Sequence, residues 1–146
     1  MRKLMVETQL RKKTTDILKR PPHSAEAEQA IIGGLMLDNQ TWDKIDHMLC
    51  EEDFYRTENR VLFRVIAHLV AKDQPFDVVT VLDSLKSSDE EHVAGGEAYL
   101  FELANNTPSV ANVVAYARIV RDKSVQRQLI SVAGEIVGEE HNALLL

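Results

Sequence analysis

The sequence predicts an all-α fold: a compact head of about six helices whose last helix outruns the head. Three observations predict it. Apolar residues recur at the three- and four-residue intervals of a buried helix face along most of the chain. Hydroxyl residues that cap helices and Pro- or Gly-containing stops divide those stretches into segments of helical length. The composition has 5% aromatics, six glycines and four prolines in 146 residues, which argues against a β-sandwich, a collagenous chain and wholesale disorder. The length fits one domain, since domains run to roughly 100–200 residues. A core drawn from most of it needs no metal or disulfide staple.

The elements follow in order. Residues 1–20 carry seven Lys/Arg and two Asp/Glu, a net of +5, while residues 21–146 carry ten and twenty-one, a net of −11. Little helical patterning precedes Pro21-Pro22, so residues 1–22 read as a flexible basic arm, with at most a transient helix around 7–18. From Ser24, a capping residue, Ala27, Ile31 and Leu35 lie on one helix face, with Glu26 and Glu28 at its positive end. Gly33-Gly34 interrupts this face. Either the helix ends there or another backbone packs against a patch without side chains. The apolar run Leu35-Met36-Leu37 favours continuation.

Thr41 is expected to cap a short helix with Trp42, Ile45 and Leu49 on one face. Thr57 opens the clearest helix, in which Val61, Leu62, Val65, Ile66, Leu69 and Val70 form paired columns of a central core element. Pro75-Phe76-Asp77 starts another, with Val78, Val81, Leu82 and Leu85 inward. Its helical spacing outweighs the β-branched run 78–81. A polar loop over 87–92 leads to Gly95-Gly96 and a short helix over 98–104, stopped at Asn105-Asn106-Thr107-Pro108.

Ser109 caps the last segment, which extends to about Val137. Val113, Tyr116, Ala117 and Val120 define its first stripe. At helical pitch that stripe would next meet Lys123/Ser124, Arg127 and Ser131. The apolar residues are instead Val125, Leu129, Val132 and Ile136, about 100° away around the axis. Either the helix breaks at 121–124, with Ser124 as a new cap, or its second half packs on something else. Residues 124–140 are therefore expected to leave the head and need a partner surface, since a lone amphipathic helix is marginal in water. Trp42, Val61, Leu62, Val65, Ile66, Leu69, Tyr116 and Val120 are expected to pack the head. Val125, Leu129, Val132 and Ile136 are the candidates for pairing.

Candidate chemistry is sparse. No phosphate-binding loop, dinucleotide fingerprint, nucleophile elbow or metalloprotease motif occurs, so no catalytic, cofactor-binding or metal residue is assigned. Asp43, His47 and Cys50 are spaced to share a helix face and give a weak metal-site alternative. Glu51-Glu52-Asp53 and Asp89-Glu90-Glu91 read as solvated loops or helix starts rather than paired catalytic carboxylates, and His23 as locally hydrogen-bonded. The basic arm could meet phosphate but has no aromatic for base stacking, and the acidic body opposes a duplex. A single cysteine fits a reducing compartment, no run approaches a membrane span and no signal peptide is evident, so a cytoplasmic location is expected.

Four blocks then resemble a known family. They are Pro21–Gln29 with Ile31–Asp38, then Asp53-Phe54-Tyr55, then Gly95-Gly96 with Ala98-Tyr99-Leu100, and last Asn106–Ser109 with Ala111-Asn112 and Ala115-Tyr116-Ala117. In this order, from Pro21 to about Ile130, the chain resembles the N-terminal domain of bacterial DnaB-like replicative DNA helicases. It departs at Asn59, where the family often has histidine. The resemblance implies a head over 23–123 and, over 124–146, the start of a helical hairpin that is incomplete here and pairs subunits. It implies self-association into dimers within a ring of six. It also implies docking of the helicase-binding domain of primase, a possible loader, and a separate motor domain that uses ATP and magnesium and meets DNA. No membrane partner is implied. The alternative is a small stand-alone helical protein that binds metal or nucleic acid.

Overall fold

The computed structural model describes residues 2–145, with side chains described for all of them except 10, 12–19 and 140–145. The terminal leucine run, 144–146, lies outside the described residues and side chains. The described residues form seven α-helices: α1 (Arg2–Lys19), α2 (Ala25–Leu37), α3 (Thr41–Ile45), α4 (Thr57–Ala71), α5 (Val78–Ser87), α6 (Gly96–Asn105) and α7 (Val113–Leu145). Short 3-10 turns at Glu51–Asp53 and Val110–Asn112 precede α4 and α7. The fold is all-α, as its spacing and composition predict.

Helix α2 is the spine of the head. The Ser24 hydroxyl accepts from the Ala27 amide and satisfies one of the amides orphaned at its start. The helix runs through both glycines. At Gly33 an added Cβ would meet the Thr107 hydroxyl, and the Leu103 carbonyl oxygen at only 2.5 Å, whereas at Gly34 it would meet nothing within 4 Å. The close approach is thus the C-terminal end of α6, and it requires one glycine of the pair. Gly33→Ala is expected to lower stability by about 2 kcal/mol, because the obstacle includes backbone. Gly34→Ala should raise it by roughly 0.5–1 kcal/mol through helix propensity. Thermal unfolding of the two variants checks this, and shifts of the same sign would refute the close-approach account.

Two local expectations need correction. Thr41 does not cap α3. Gln40 occupies that position without a side-chain cap, and the Thr41 hydroxyl is buried with no hydrogen-bond partner. Residues 2–19 form a regular helix where little patterning announced one. None of the described α1 side chains joins the core.

Helix α4 supplies Val61, Leu62, Val65, Ile66 and Leu69 to the core, which Trp42, Val70 and Tyr116 flank half-buried. Asp77 starts α5 with a reciprocal cap, its carboxylate accepting from the Thr80 amide and its own amide donating to the Thr80 hydroxyl. Gly95 and Gly96 turn the chain into α6 with φ of 90° and 83°, a region in which Cβ-bearing residues are strained. α7 then crosses α2 and α3, burying Val113, Ala117 and Val120. It does not break at 121–124. It is one helix of 33 residues, about 50 Å long at ~1.5 Å per residue.

Candidate assembly face and its polar anchor

The unbroken helix resolves the shift of the apolar stripe. Beyond Val120 the side of α7 that faces the head continues with Ser124 and Arg127, and both meet a polar cluster instead of the core. Ser124 is 2% exposed and donates to Asp53 Oδ1 at 2.7 Å. Arg121 donates to the same oxygen at 2.7 Å. The Cys50 amide donates to Asp53 Oδ2 at 2.8 Å. Asp53, in the 3-10 turn before α4, is therefore a buried carboxylate with three strong donors from two parts of the chain. Burial pushes its carboxyl up. The donors from Cys50, Ser124 and Arg121 outweigh that and hold it below the usual aspartate value.

Arg127 completes the anchor. Its guanidinium donates to the Pro22 carbonyl at 2.7 Å and the Asp53 carbonyl at 2.6 Å. It also lies 5.5 Å over the centre of the Tyr55 ring. His23 stacks on Tyr55 with ring centres 4.2 Å apart, and its Nδ1 pairs with the Pro21 carbonyl at 2.7 Å. Burial lowers the Arg127 pKa from its ordinary value, and the nearby Glu28 charge counters the shift. One arginine thus ties together the segment before α2, the turn before α4 and α7.

Beside it lies a second buried carboxylate. Glu28, 1% exposed on α2, accepts from the Tyr55 amide at 2.8 Å, the Arg56 amide at 3.3 Å and the Asn59 side chain at 3.0 Å. It stands at the N-terminus of α4, where no local side chain caps the helix and negative charge is favourable. The Tyr99 hydroxyl donates to Asn59 at 2.7 Å, which extends the chain of hydrogen bonds from α6 to α2. Burial raises the Tyr99 pKa, so it remains a donor.

Past this anchor α7 projects. Val125 sits at the edge, 37% exposed, and Leu129, Val132 and Ile136 are 64, 52 and 53% exposed. Every residue from 131 to 139 is exposed. The four apolar residues are spaced four, three and four apart, the seam spacing of paired helices. The other sequence candidates lie elsewhere. Asp43, His47 and Cys50 do not share a helix face, because α3 ends at Ile45 and Cys50 is extended. Burial, with Glu52 and Asp53 beside it, pushes the Cys50 thiol up to about 11, although the residue as a whole is exposed. Among the described residues no group of three His, Cys, Asp or Glu could hold a metal ion. Of the two charge runs, Glu51-Glu52-Asp53 departs from the expected solvated turn, since Asp53 is buried in the anchor. No described helix is long and apolar enough to cross a membrane.

Most of the head lies in a region that known proteins share. Residues 20–122 match the model of the DnaB-like helicase N-terminal domain. The chain is 44% identical over 131 residues to the replicative DNA helicase DnaB of Haemophilus influenzae, covering 90% of this chain and 28% of that protein. It is 42% identical over 116 residues to the DnaB of Geobacillus stearothermophilus, covering 80% of this chain and 26% of that protein. It thus spans about a quarter of the length of these relatives. Among solved structures, the N-terminal domain of DnaB helicase from Mycobacterium tuberculosis superposes with a TM-score of 0.83 at 29% identity, covering 87% of this chain and 91% of that one.

Proposed function

Because the chain belongs to the DnaB-like helicase N-terminal domain family, we propose that it is the assembly domain of a ring-forming replicative helicase. In this reading residues 23–123 are the head and 124–146 begin a hairpin that pairs with a second copy. Val125, Leu129, Val132 and Ile136 form the seam. The unwinding of DNA with ATP and magnesium belongs to a motor domain outside this chain. The partners are further copies of the chain, up to a ring of six, and the helicase-binding domain of primase, with a loader acting on the whole protein. The reading places the protein in the bacterial cytoplasm. A structure of the Helicobacter pylori DnaB N-terminal domain, described with its interactions with primase, shares the fold with a TM-score of 0.70 at 22% identity.

The observation that carries the proposal is the exposed four-three-four stripe on the half of α7 that leaves the head. Water contact with such a stripe costs free energy that a second copy removes. Sedimentation equilibrium over a wide concentration range tests it. A reversible monomer–dimer equilibrium is expected, and monomers throughout the range would overturn the pairing. The metal-protein alternative loses its geometric basis with the separation of Asp43, His47 and Cys50.

A further inference from the structure

A groove of about 870 Å³ opens on the head between α4 and α5, and no residue of the anchor or the seam lines it. Val65 and Leu69, both core residues, reach its floor. Val79 stands on its α5 rim at 72% exposure, the highest of any large apolar residue among the described ones. Pro75 lies at the end where the chain turns from α4 to α5. An apolar floor and rim between two helices is a shape that a third, amphipathic helix fills. From Arg64 to Lys72 the groove follows α4 for about 12 Å, roughly two turns of such a helix.

The walls decide what else the occupant carries. Arg64, His68 and Lys72 recur at four-residue intervals and form one row along α4 and its C-cap. Arg64, at the start of the row, is ion-paired with Glu90 from the turn after α5, so the chain itself supplies one carboxylate. His68 and Lys72, one and two turns further on, form no ion pair with a described residue. On the facing wall Thr80 and Ser87 turn their hydroxyls back, donating to the Asp77 and Asp83 carbonyls. Asp83 is the only charged residue that α5 gives the groove, and it opposes a second acidic edge on that side. A nucleic acid strand fits poorly. No Phe, Tyr or Trp lines the groove for base stacking, and Asp83 and Glu90 repel phosphates.

We propose that the α4–α5 groove docks an amphipathic helix of a partner protein, with its apolar stripe on Val65, Leu69 and Val79 and two carboxylates one turn apart against His68 and Lys72. The Arg64–Glu90 pair is the first rung of a ladder that the partner continues. The body as a whole is acidic, −11 over residues 21–146, so acidic segments that do not reach this row are repelled. The groove belongs to the head, and the proposal does not depend on the pairing reading of α7.

The test titrates the full chain into a fluorescein-labelled, helix-stapled peptide of about three turns and follows anisotropy. The peptide carries leucines along one stripe and, beside it, two glutamates spaced i, i+4. Saturable binding that weakens with salt is expected. Lys72 and Val79 are both exposed, so Lys72→Glu and Val79→Glu should each weaken binding tenfold or more while the melting temperature hardly moves. A peptide with lysines in place of the glutamates should recover binding to Lys72→Glu. Leu129→Glu should bind the peptide as the parent does, which separates the groove from the seam. No binding up to millimolar peptide would overturn the proposal. So would equal binding of a peptide with glutamines for glutamates, or binding undiminished in Lys72→Glu and Val79→Glu. If the parent ignores the peptide but Lys72→Glu weakens self-association in sedimentation, the groove belongs to a second copy. If it ignores the peptide but binds a single-stranded oligonucleotide through Lys72, the groove belongs to nucleic acid. Either result refutes the partner helix.

Discussion

Replacing Asp53 with alanine is expected to lower the unfolding free energy by about 3 kcal/mol, measured by denaturant titration, and the melting temperature by roughly 10 °C. The reason is what the carboxylate leaves behind. The buried Ser124 hydroxyl and the Cys50 amide lose their acceptors, and an unsatisfied buried donor costs about 1–3 kcal/mol. The Arg121 side chain is 45% exposed and regains water, which holds the total at the low end for a broken ion pair. The loss should appear where α7 meets the head, as faster amide exchange around 120–127. The same residue sets an acid limb. Its folded pKa lies below the ordinary 3.8, so the unfolded chain binds the proton more readily. Its contribution is complete above that ordinary value and is lost as pH falls through the lower folded one. Asp53→Ala should therefore flatten the fall of stability below about pH 4. A variant as stable as the parent, with an unchanged acid limb, would show that the anchor does not hold α7.

Replacing Leu129 with glutamate should act in the opposite way, leaving the head intact and breaking the pair. Leu129 is 64% exposed and is not a member of the core, so the melting temperature of the dilute protein should hardly move. In a symmetric seam the residue appears twice. Removing two buried leucines at about 2 kcal/mol each amounts to ~4 kcal/mol, close to a thousandfold in dissociation constant. Two buried charges add to that. Sedimentation of the variant beside the parent checks it. A variant that pairs as tightly as the parent would move the interface elsewhere, and one that unfolds would join Leu129 to the head.

What was legible in the sequence follows from what helices bury. Val61, Leu62, Val65, Ile66 and Leu69 announced α4 because one face of a core helix must be apolar, and the structure buries all five. The displacement from Val120 to Val125 announced a change of environment. Two physical causes were available for it, a break or a second partner, and the continuous α7 removes the break. The polar anchor was not legible. Glu28, Asp53, Asn59 and Arg127 come from four separate elements, and each in its own stretch looks like a solvated residue. Asp53 even sat in a run of three acids that reads as an exposed turn. One signal was present: the stripe continued from Val120 points to Ser124 and Arg127, so whatever faces them had to be polar. The helix of α1 leaves little trace in the sequence because its residues lack a strong apolar period. Thr41 resembles a cap in sequence, but it is a buried threonine at the first helical position, one residue past the cap. The tight packing at Gly33 rather than Gly34 depends on where Leu103 and Thr107 fall, which no local pattern encodes.

The central claim is that the distal half of α7 is the self-pairing face and its proximal half belongs to the head. A nitroxide at Val132→Cys, in a Cys50→Ser background that keeps a donor beside Asp53, reports on it directly. Paired helices pack with axes about 8–10 Å apart, so spin–spin distances between copies should be about 20 Å or less once the label arms are included. A sample that sedimentation shows to be dimeric but whose labels at 132 lie far beyond that distance would contradict the account, as would the absence of any dimer.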